Sequence, residues 1–249
     1  MNGNEAPLRI AMWSGPRNIS TAMMRAFENR DDCVVRDEPF YACYLAATGT
    51  EHPMRDAVLR SQPTRWRAVI DALTAPLPAG VTVEYQKQMT HHMVVDLDET
   101  WLRGVTHAFL VRDPYDMVAS YVQKRSQVTV DDLGLPRQVE VYESVCRATG
   151  QTPPIVDARD VLHAPETVLR GLCAQLGIEF SNKMLAWPPG LRESDGVWAS
   201  HWYNAVAKST GFEVYTSHGG DLPPPYQRVV DSCREYYEYF LERKSVYSD

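Results

Sequence analysis

The 249-residue sequence is short of positive charge and has no long apolar run. Its 25 Lys and Arg residues face 32 Asp and Glu residues, which gives a net charge of -7. A protein that binds nucleic acid usually presents a basic face, so we expect no nucleic-acid partner. No stretch approaches the roughly eighteen apolar residues of a membrane helix, and residues 1–8 lack a hydrophobic signal core. We therefore expect no membrane partner either.

Paired cysteine motifs are also missing. The five cysteines are an odd number, and no two form a C-x-x-C pair. Neither a disulfide framework nor a zinc-ligand set is therefore predicted, and we expect no metal site. The cysteine pattern favours a reducing compartment, and with no signal core it predicts a cytoplasmic location.

The sequence does contain short apolar runs that alternate with longer helical patterns. This alternation predicts one α/β domain over residues 1–249, with a central parallel sheet of about five strands flanked by helices. Ligands of such sheets bind where the strands end. Strands are predicted at 8–13, 33–35, 81–86, 107–111 and 155–157, and helices at 20–29, 66–73, 116–124, 135–148, 165–176 and 226–244.

Residues 188–220 differ from the rest of the chain. They are rich in Gly, Trp, His and Ser and have weak periodicity. Long segments of this kind are often functional, so we expect a cap or substrate loop here, against the alternative of a plain surface insertion.

The turn after the first strand reads Ser-Gly-Pro-Arg-Asn-Ile-Ser-Thr over residues 14–21. Free backbone N–H groups at a helix start, together with the helix dipole, favour an anion. Gly15 permits a sharp turn, Arg17 adds a cationic fork, and Ser20 and Thr21 add hydroxyl donors. The turn lacks the second glycine and the lysine of the nucleoside-triphosphate loop G-x-x-x-x-G-K-[ST], which weighs against a kinase or ATPase.

A second basic position follows the fourth predicted strand. Arg112 leaves that strand, and Ser120 lies two helical turns further on. The pair could hold one phosphate if the helix packs beside the strand. The alternative is an ion pair of Arg112 with Asp113 or Asp116.

These two windows together resemble the sulfotransferase family. Residues 16–22 are similar to the loop P-K-S-G-T-T-W, with Arg17 at the basic position and Ile19 in place of glycine. Arg112, Asp116, Ser120 and Tyr121 match all four fixed positions of R-x-x-x-D-x-x-x-S-Y.

The resemblance implies a P-loop NTPase-like fold of the sulfotransferase type and the sulfuryl donor 3′-phosphoadenosine-5′-phosphosulfate (PAPS). It implies that Arg17 stabilises the leaving phosphate and that Arg112 and Ser120 bind the 3′-phosphate. Residues 196–202 resemble the late segment G-D-W-x-x-H-F, which makes Arg192 a further candidate. The implied cofactor-binding set is Gly15, Pro16, Arg17, Asn18, Ile19, Ser20, Thr21, Arg112, Ser120 and Arg192.

The general base has two candidate positions. The family carries K-T-H near the end of the third strand, with the histidine as base and the lysine assisting at the sulfuryl group. Lys87 and either His91 or His92 are the counterparts, His91 being slightly favoured. A histidine with an ordinary pKa suits proton transfer near neutral pH. The rival is Glu38, just past the second strand, where some bacterial members use a carboxylate. As a base it needs a pKa raised by burial.

The sequence thus predicts sulfuryl transfer from PAPS to a hydroxyl or amine of a small-molecule acceptor. Two alternatives remain at this point: a kinase-type phosphotransferase, and a non-catalytic relative that binds PAPS or its product PAP. The abundant tyrosines and tryptophans favour a partly aromatic acceptor pocket.

Overall fold

Five parallel strands form the centre of the computed structural model, which describes residues 6–123, 125, 127–216, 220–245 and 247. Their order in the sheet is β2-β3-β1-β4-β5. The prediction of an α/β fold with a five-stranded parallel sheet is confirmed. The strands are β1 (Leu8–Ser14), β2 (Cys33–Asp37), β3 (Val83–Met89), β4 (Thr106–Val111) and β5 (Ile155–Asp157).

Helices cover both faces of this sheet. They are α1 (Ser20–Glu28), α2 (Tyr41–Thr48), α3 (Arg55–Ser61), α4 (Trp66–Thr74), α5 (Glu99–Arg103), α6 (Pro114–Tyr121), α7 (Val130–Leu133), α8 (Leu135–Thr149), α9 (Ala158–His163), α10 (Pro165–Leu176), α11 (Ala199–Trp202) and α12 (Pro224–Leu241). None of the helices in the described ranges is both long enough and apolar enough to cross a lipid bilayer.

The central strand β1 shows why the sheet needs two covering layers. Successive side chains of a strand point to opposite faces. Ile10 and Met12 therefore pack into one core cluster, which contains side chains of α1 and α10. Ala11 and Trp13 pack into the other, with side chains of α8 and α12. An apolar run without polar alternation is what a strand buried on both faces requires.

The observed elements correct several predicted boundaries. β3 continues to Met89 instead of ending at residue 86, so Lys87 lies inside the sheet, opposite Asp37 of β2. The predicted helix 116–124 begins at Pro114 and ends at Tyr121, and its predicted end, Lys124, is outside the described residues. The short helices α2, α3, α5, α7, α9 and α11 were not predicted. They have four to eight residues, too few for a helical periodicity to stand out.

The segment 188–220, described as far as residue 216 and again at 220, contains α11 and a short 3₁₀ turn. Ala186, just before the segment, forms an antiparallel bridge with Gly211 inside it. The backbone N–H of Gly196 donates to Asp37 Oδ2 at 3.0 Å, which ties the segment to the end of β2.

Candidate active site

A cavity of about 600 Å³ opens at the carboxyl ends of β1 to β4, and residues of the 188–216 segment close one side of it. This is the edge where parallel sheets bind ligands. The loops that follow four strands therefore contribute side chains to one space.

The turn after β1 forms the floor of this cavity. Arg17 and Ile19 have positive φ angles of 59° and 39°, so Ile19 adopts a left-handed conformation suited to the glycine of the sulfotransferase loop. Positive φ angles at every second residue turn successive backbone N–H groups toward one point, as in anion-binding nests. A Cβ on Gly15 would lie 2.4 Å from the Leu133 carbonyl oxygen, so only glycine fits there. Asn18 Nδ2 donates to the Leu110 carbonyl at 2.7 Å and fixes the turn against β4.

Two arginines and a serine meet beside this turn. Arg17 Nε donates to Ser120 Oγ at 3.0 Å, and Arg112 Nη1 donates to the Arg17 carbonyl at 2.8 Å. Arg112 Nε also lies 3.8 Å from Oδ2 of Asp116, a residue in the first turn of α6. Burial, and then the charge of Arg112, lower the pKa of Arg17. The guanidinium of Arg17 forms no ion pair with any carboxylate in the described ranges. The cluster therefore suits an anionic ligand.

A second charged cluster lies at the ends of β2 and β3. Lys87 Nζ donates to Asp37 Oδ1 at 3.0 Å, to Glu38 Oε1 at 2.6 Å and to Tyr203 Oη at 2.6 Å. Tyr203 Oη in turn donates to Asp37 at 2.8 Å and accepts from Trp198 Nε1 at 3.2 Å. Burial would lower the pKa of Lys87, but the two carboxylates raise it well above its usual value. All three ammonium protons of Lys87 are therefore used within the cluster.

Glu38 offers one free oxygen to the cavity. Its Oε1 accepts from Lys87, whereas its Oε2 lies 3.9 Å from His92 Nε2, beyond hydrogen-bond distance. Burial raises the pKa of Glu38, even though the charge of Lys87 opposes the shift. A carboxylate with a raised pKa is suited to accept a proton near neutral pH.

The two histidines are packed among aromatic rings. The ring of His92 stacks on Tyr41 at 4.6 Å and on Tyr44 at 4.9 Å, and His91 contacts His92 at 4.3 Å. Burial lowers the pKa of His91 to about 3 and that of His92 well below its usual value. Both rings are therefore neutral at pH 7 and are weak bases.

The structure brings most of the sequence-predicted residues together. Gly15 lies beneath the turn, and Arg192 is directed elsewhere: its Nη2 donates to the Pro188 carbonyl at 3.1 Å. Neither is among the described residues that line the cavity. The predicted residues that do line it are Pro16, Arg17, Asn18, Ile19, Ser20, Thr21, Glu38, Lys87, His91, His92, Arg112 and Ser120.

Sequence reasoning missed Asp37 and Tyr203, the other two members of the Lys87 cluster. The only signal was indirect: Tyr203 lies in the segment predicted as a cap, and Asp37 precedes Glu38. Their 166-residue separation offers no local pattern from which a contact could be inferred.

The chain belongs to the sulfotransferase family: the family described as "Sulfotransferase domain" matches residues 8–236. Among solved structures it resembles a sulfotransferase from Alicyclobacillus acidocaldarius, with a TM-score of 0.56, 10% identity and coverage of 96% of this chain and 98% of that one. It also resembles a sulfotransferase domain from the curacin biosynthetic pathway, with a TM-score of 0.53, 15% identity and coverage of 92% and 98%. At these identities the likeness establishes the fold.

A longer plant protein is also similar in sequence. "Branched-chain-amino-acid aminotransferase-like protein 1" of Arabidopsis thaliana is 36% identical over 232 residues, which are 93% of this chain and 41% of the plant protein. The chain thus spans about two-fifths of the length of that relative.

Proposed function

We propose that this protein is a PAPS-dependent sulfotransferase that acts on a hydroxyl or amine of a small-molecule acceptor. The observation that carries the proposal is the meeting of Arg17, Arg112 and Ser120 in one cavity. PAPS bears a 3′-phosphate and a 5′-phosphosulfate, and this cluster combines cationic forks with a hydroxyl and a turn rich in free N–H groups. Family membership supports the same donor.

The donor supplies a sulfuryl group whose S–O bond to the 5′-phosphate breaks as the acceptor oxygen bonds to sulfur. In this proposal Arg112 and Ser120 hold the 3′-phosphate, and Arg17 neutralises the charge that develops on the leaving phosphate. Fixed cationic donors at a developing charge are an effective way to lower such a barrier. Arg17 also bonds Ser120, so it lies within reach of the 3′-phosphate position.

We assign the general base to Glu38, whose free Oε2 would take the proton that the acceptor loses. Lys87 and Tyr203 position this carboxylate, because Lys87 holds Oε1 and Tyr203 holds Lys87. His91 and His92 form the wall beside the base. Their neutral state and aromatic contacts suit them to shape the acceptor pocket.

Titration calorimetry tests the donor. PAP and, separately, ATP with and without Mg²⁺ are titrated into the wild type and an Arg112→Ala variant. We expect metal-independent binding of PAP that weakens at least about tenfold in Arg112→Ala, because a charge-assisted phosphate contact is lost. Arg170→Ala is the matched control, because Arg170 pairs with Glu166 on the surface. Binding of ATP with Mg²⁺ but not of PAP would replace this proposal with the kinase alternative.

A further inference from the structure

A third arginine, Arg125, also lines the cavity. Its Nη1 donates to Tyr121 Oη at 3.4 Å, and no carboxylate in the described ranges forms an ion pair with it. Its charge acts on Tyr41 and on His52, whose pKa is lowered to about 4 by burial and then by Arg125. The cavity therefore has a second positive position on the side of Tyr41 and His52.

Aromatic rings line this side of the cavity. Tyr41 Oη bonds His52 Nδ1, and the His52 ring stacks on Trp202 at 5.6 Å. Tyr44 extends the wall through its stacking on His92. Flat apolar walls of this kind suit a planar ligand body that can stack against them.

Tyr41 connects this wall to the proposed base. Its ring stacks on His92 at 4.6 Å, and His92 Nε2 lies 3.9 Å from Glu38 Oε2. Tyr41 and Arg125 line the same cavity. A ligand that places its hydroxyl at Glu38 and its ring along Tyr41 therefore has Arg125 in its neighbourhood. A guanidinium whose donors no described carboxylate occupies favours a ligand carboxylate there, and it disfavours an ammonium group by repulsion.

Asp132 also lines this part of the cavity, and its carboxylate has a structural partner. Its Oδ2 accepts from the Thr129 backbone N–H and hydroxyl, both at 2.8 Å, in the capping box of α7. It forms no ion pair with Arg125 among the described contacts, so no described carboxylate takes up the guanidinium donors of Arg125.

We propose that the acceptor is a hydroxylated aromatic carboxylate whose carboxylate is bound by Arg125 and whose hydroxyl faces Glu38. This inference rests on the proposed sulfotransferase function and adds the class of its acceptor. Arg125 is then the residue that selects anionic acceptors over neutral and cationic ones.

The test is a set of binding titrations on protein saturated with PAP. The probes are three phenols of similar size: para-hydroxyphenylacetate, the neutral alcohol tyrosol, and the cationic amine tyramine. We expect the acetate to bind at least about tenfold more tightly than tyrosol, and tyramine to bind most weakly, as one charge-assisted contact requires. In Arg125→Gln the preference for the acetate should disappear while the affinity for PAP is unchanged. Arg170→Gln is the control and should keep the preference.

Each other outcome counts against the inference. If PAP binds but tyrosol binds as well as the acetate, or none of the three phenols binds, the acceptor class is wrong while the donor assignment stands. If Arg125→Gln instead weakens the binding of PAP, Arg125 belongs to the donor site. If PAP itself fails to bind the wild type, the proposed function fails first, and that result is seen before any phenol is added.

Discussion

The two ends of the cavity differ in how their charges are balanced. At the β1–β4 end, Arg17 and Arg112 lie together, and among the described residues their ion-pair partner is Asp116, 3.8 Å from Arg112. At the β2–β3 end, Lys87 is bonded to two carboxylates and a tyrosine hydroxyl. Uncompensated charge suits a site for a charged ligand, whereas compensated charge lets the protein fix its own geometry.

This difference changes the role of the lysine. The resemblance implied that Lys87 assists at the transferred group. In the structure its three donors are all occupied by Asp37, Glu38 and Tyr203, so it has none left for a ligand unless the cluster opens. We therefore infer that Lys87 acts by holding Glu38 in place.

The largest expected effect is the loss of turnover in Glu38→Gln. Loss of the proposed base should lower turnover about 10²–10⁴-fold. The affinity for PAP should be unchanged, since Glu38 is outside the arginine cluster. Release of PAP in the presence of a working acceptor measures turnover, and His92→Asn is the comparison. Full turnover of Glu38→Gln together with a large loss in His92→Asn would assign the base to the histidine.

Lys87→Met should lower the free energy of unfolding by about 3–5 kcal/mol, because removing one partner leaves buried carboxylates without compensation. Urea denaturation measures this loss. Lys183→Met is the matched control: Lys183 pairs with Asp31 on the surface, and its loss should cost about 1 kcal/mol or less. Equal costs for the two variants would mean that the Lys87 cluster is not a stabilising unit.

Ser120→Ala probes the other end of the cavity. Loss of a hydrogen bond to a charged group should raise the Kd for PAP about tenfold or more. The Kd for 5′-AMP, which lacks the 3′-phosphate, should stay as in the wild type. A uniform loss for both ligands would show that Ser120 supports the turn and does not contact the 3′-phosphate.

The pH dependence of stability should reveal the buried histidines. The pKa of His91 is lowered to about 3 in the folded chain, so His91 stays neutral where the unfolded chain binds a proton. The stability that depends on neutral His91 is fully present above a pH of about 6.5, and it is lost as the pH falls toward 3. In His91→Asn, the change in the free energy of unfolding per pH unit should therefore be smaller by about 1.4 kcal/mol over that range.

Urea denaturation at a series of pH values measures this slope. His163→Asn, at an exposed position, should leave it unchanged. An unchanged slope in His91→Asn would mean that folding does not lower the pKa of His91, and it would restore that residue as a candidate base.

The sequence predicted the fold well where the signals were local. Apolar runs located all five strands, and the spacing of Arg112 and Ser120 was read from a single motif. The end of β3 was misplaced because Lys87 and Gln88 are polar, and burial of such residues depends on partners distant in sequence. A polar strand end cannot be recognised without those partners.

The missed part of the site depends on contacts between distant residues. Arg17 bonds Ser120 across 103 positions, and Tyr203 bonds Asp37 across 166. Arg192 shows the converse case: its place before the late family segment made it a candidate, but its side chain donates to the Pro188 carbonyl four residues away. Motif spacing fixes which strand end a residue follows, and the direction of its side chain depends on the packing around it.

The most direct test of the division between the two ends is the Kd for PAP measured by calorimetry in Arg17→Gln and Glu38→Gln. We predict that Arg17→Gln weakens the binding of PAP by about 10–100-fold, because a charge-assisted contact is lost. The Glu38→Gln variant should bind PAP as the wild type does. Equal weakening in both variants, or none in Arg17→Gln, would contradict the assignment of the arginine cluster to the donor and of the Lys87 cluster to the proton.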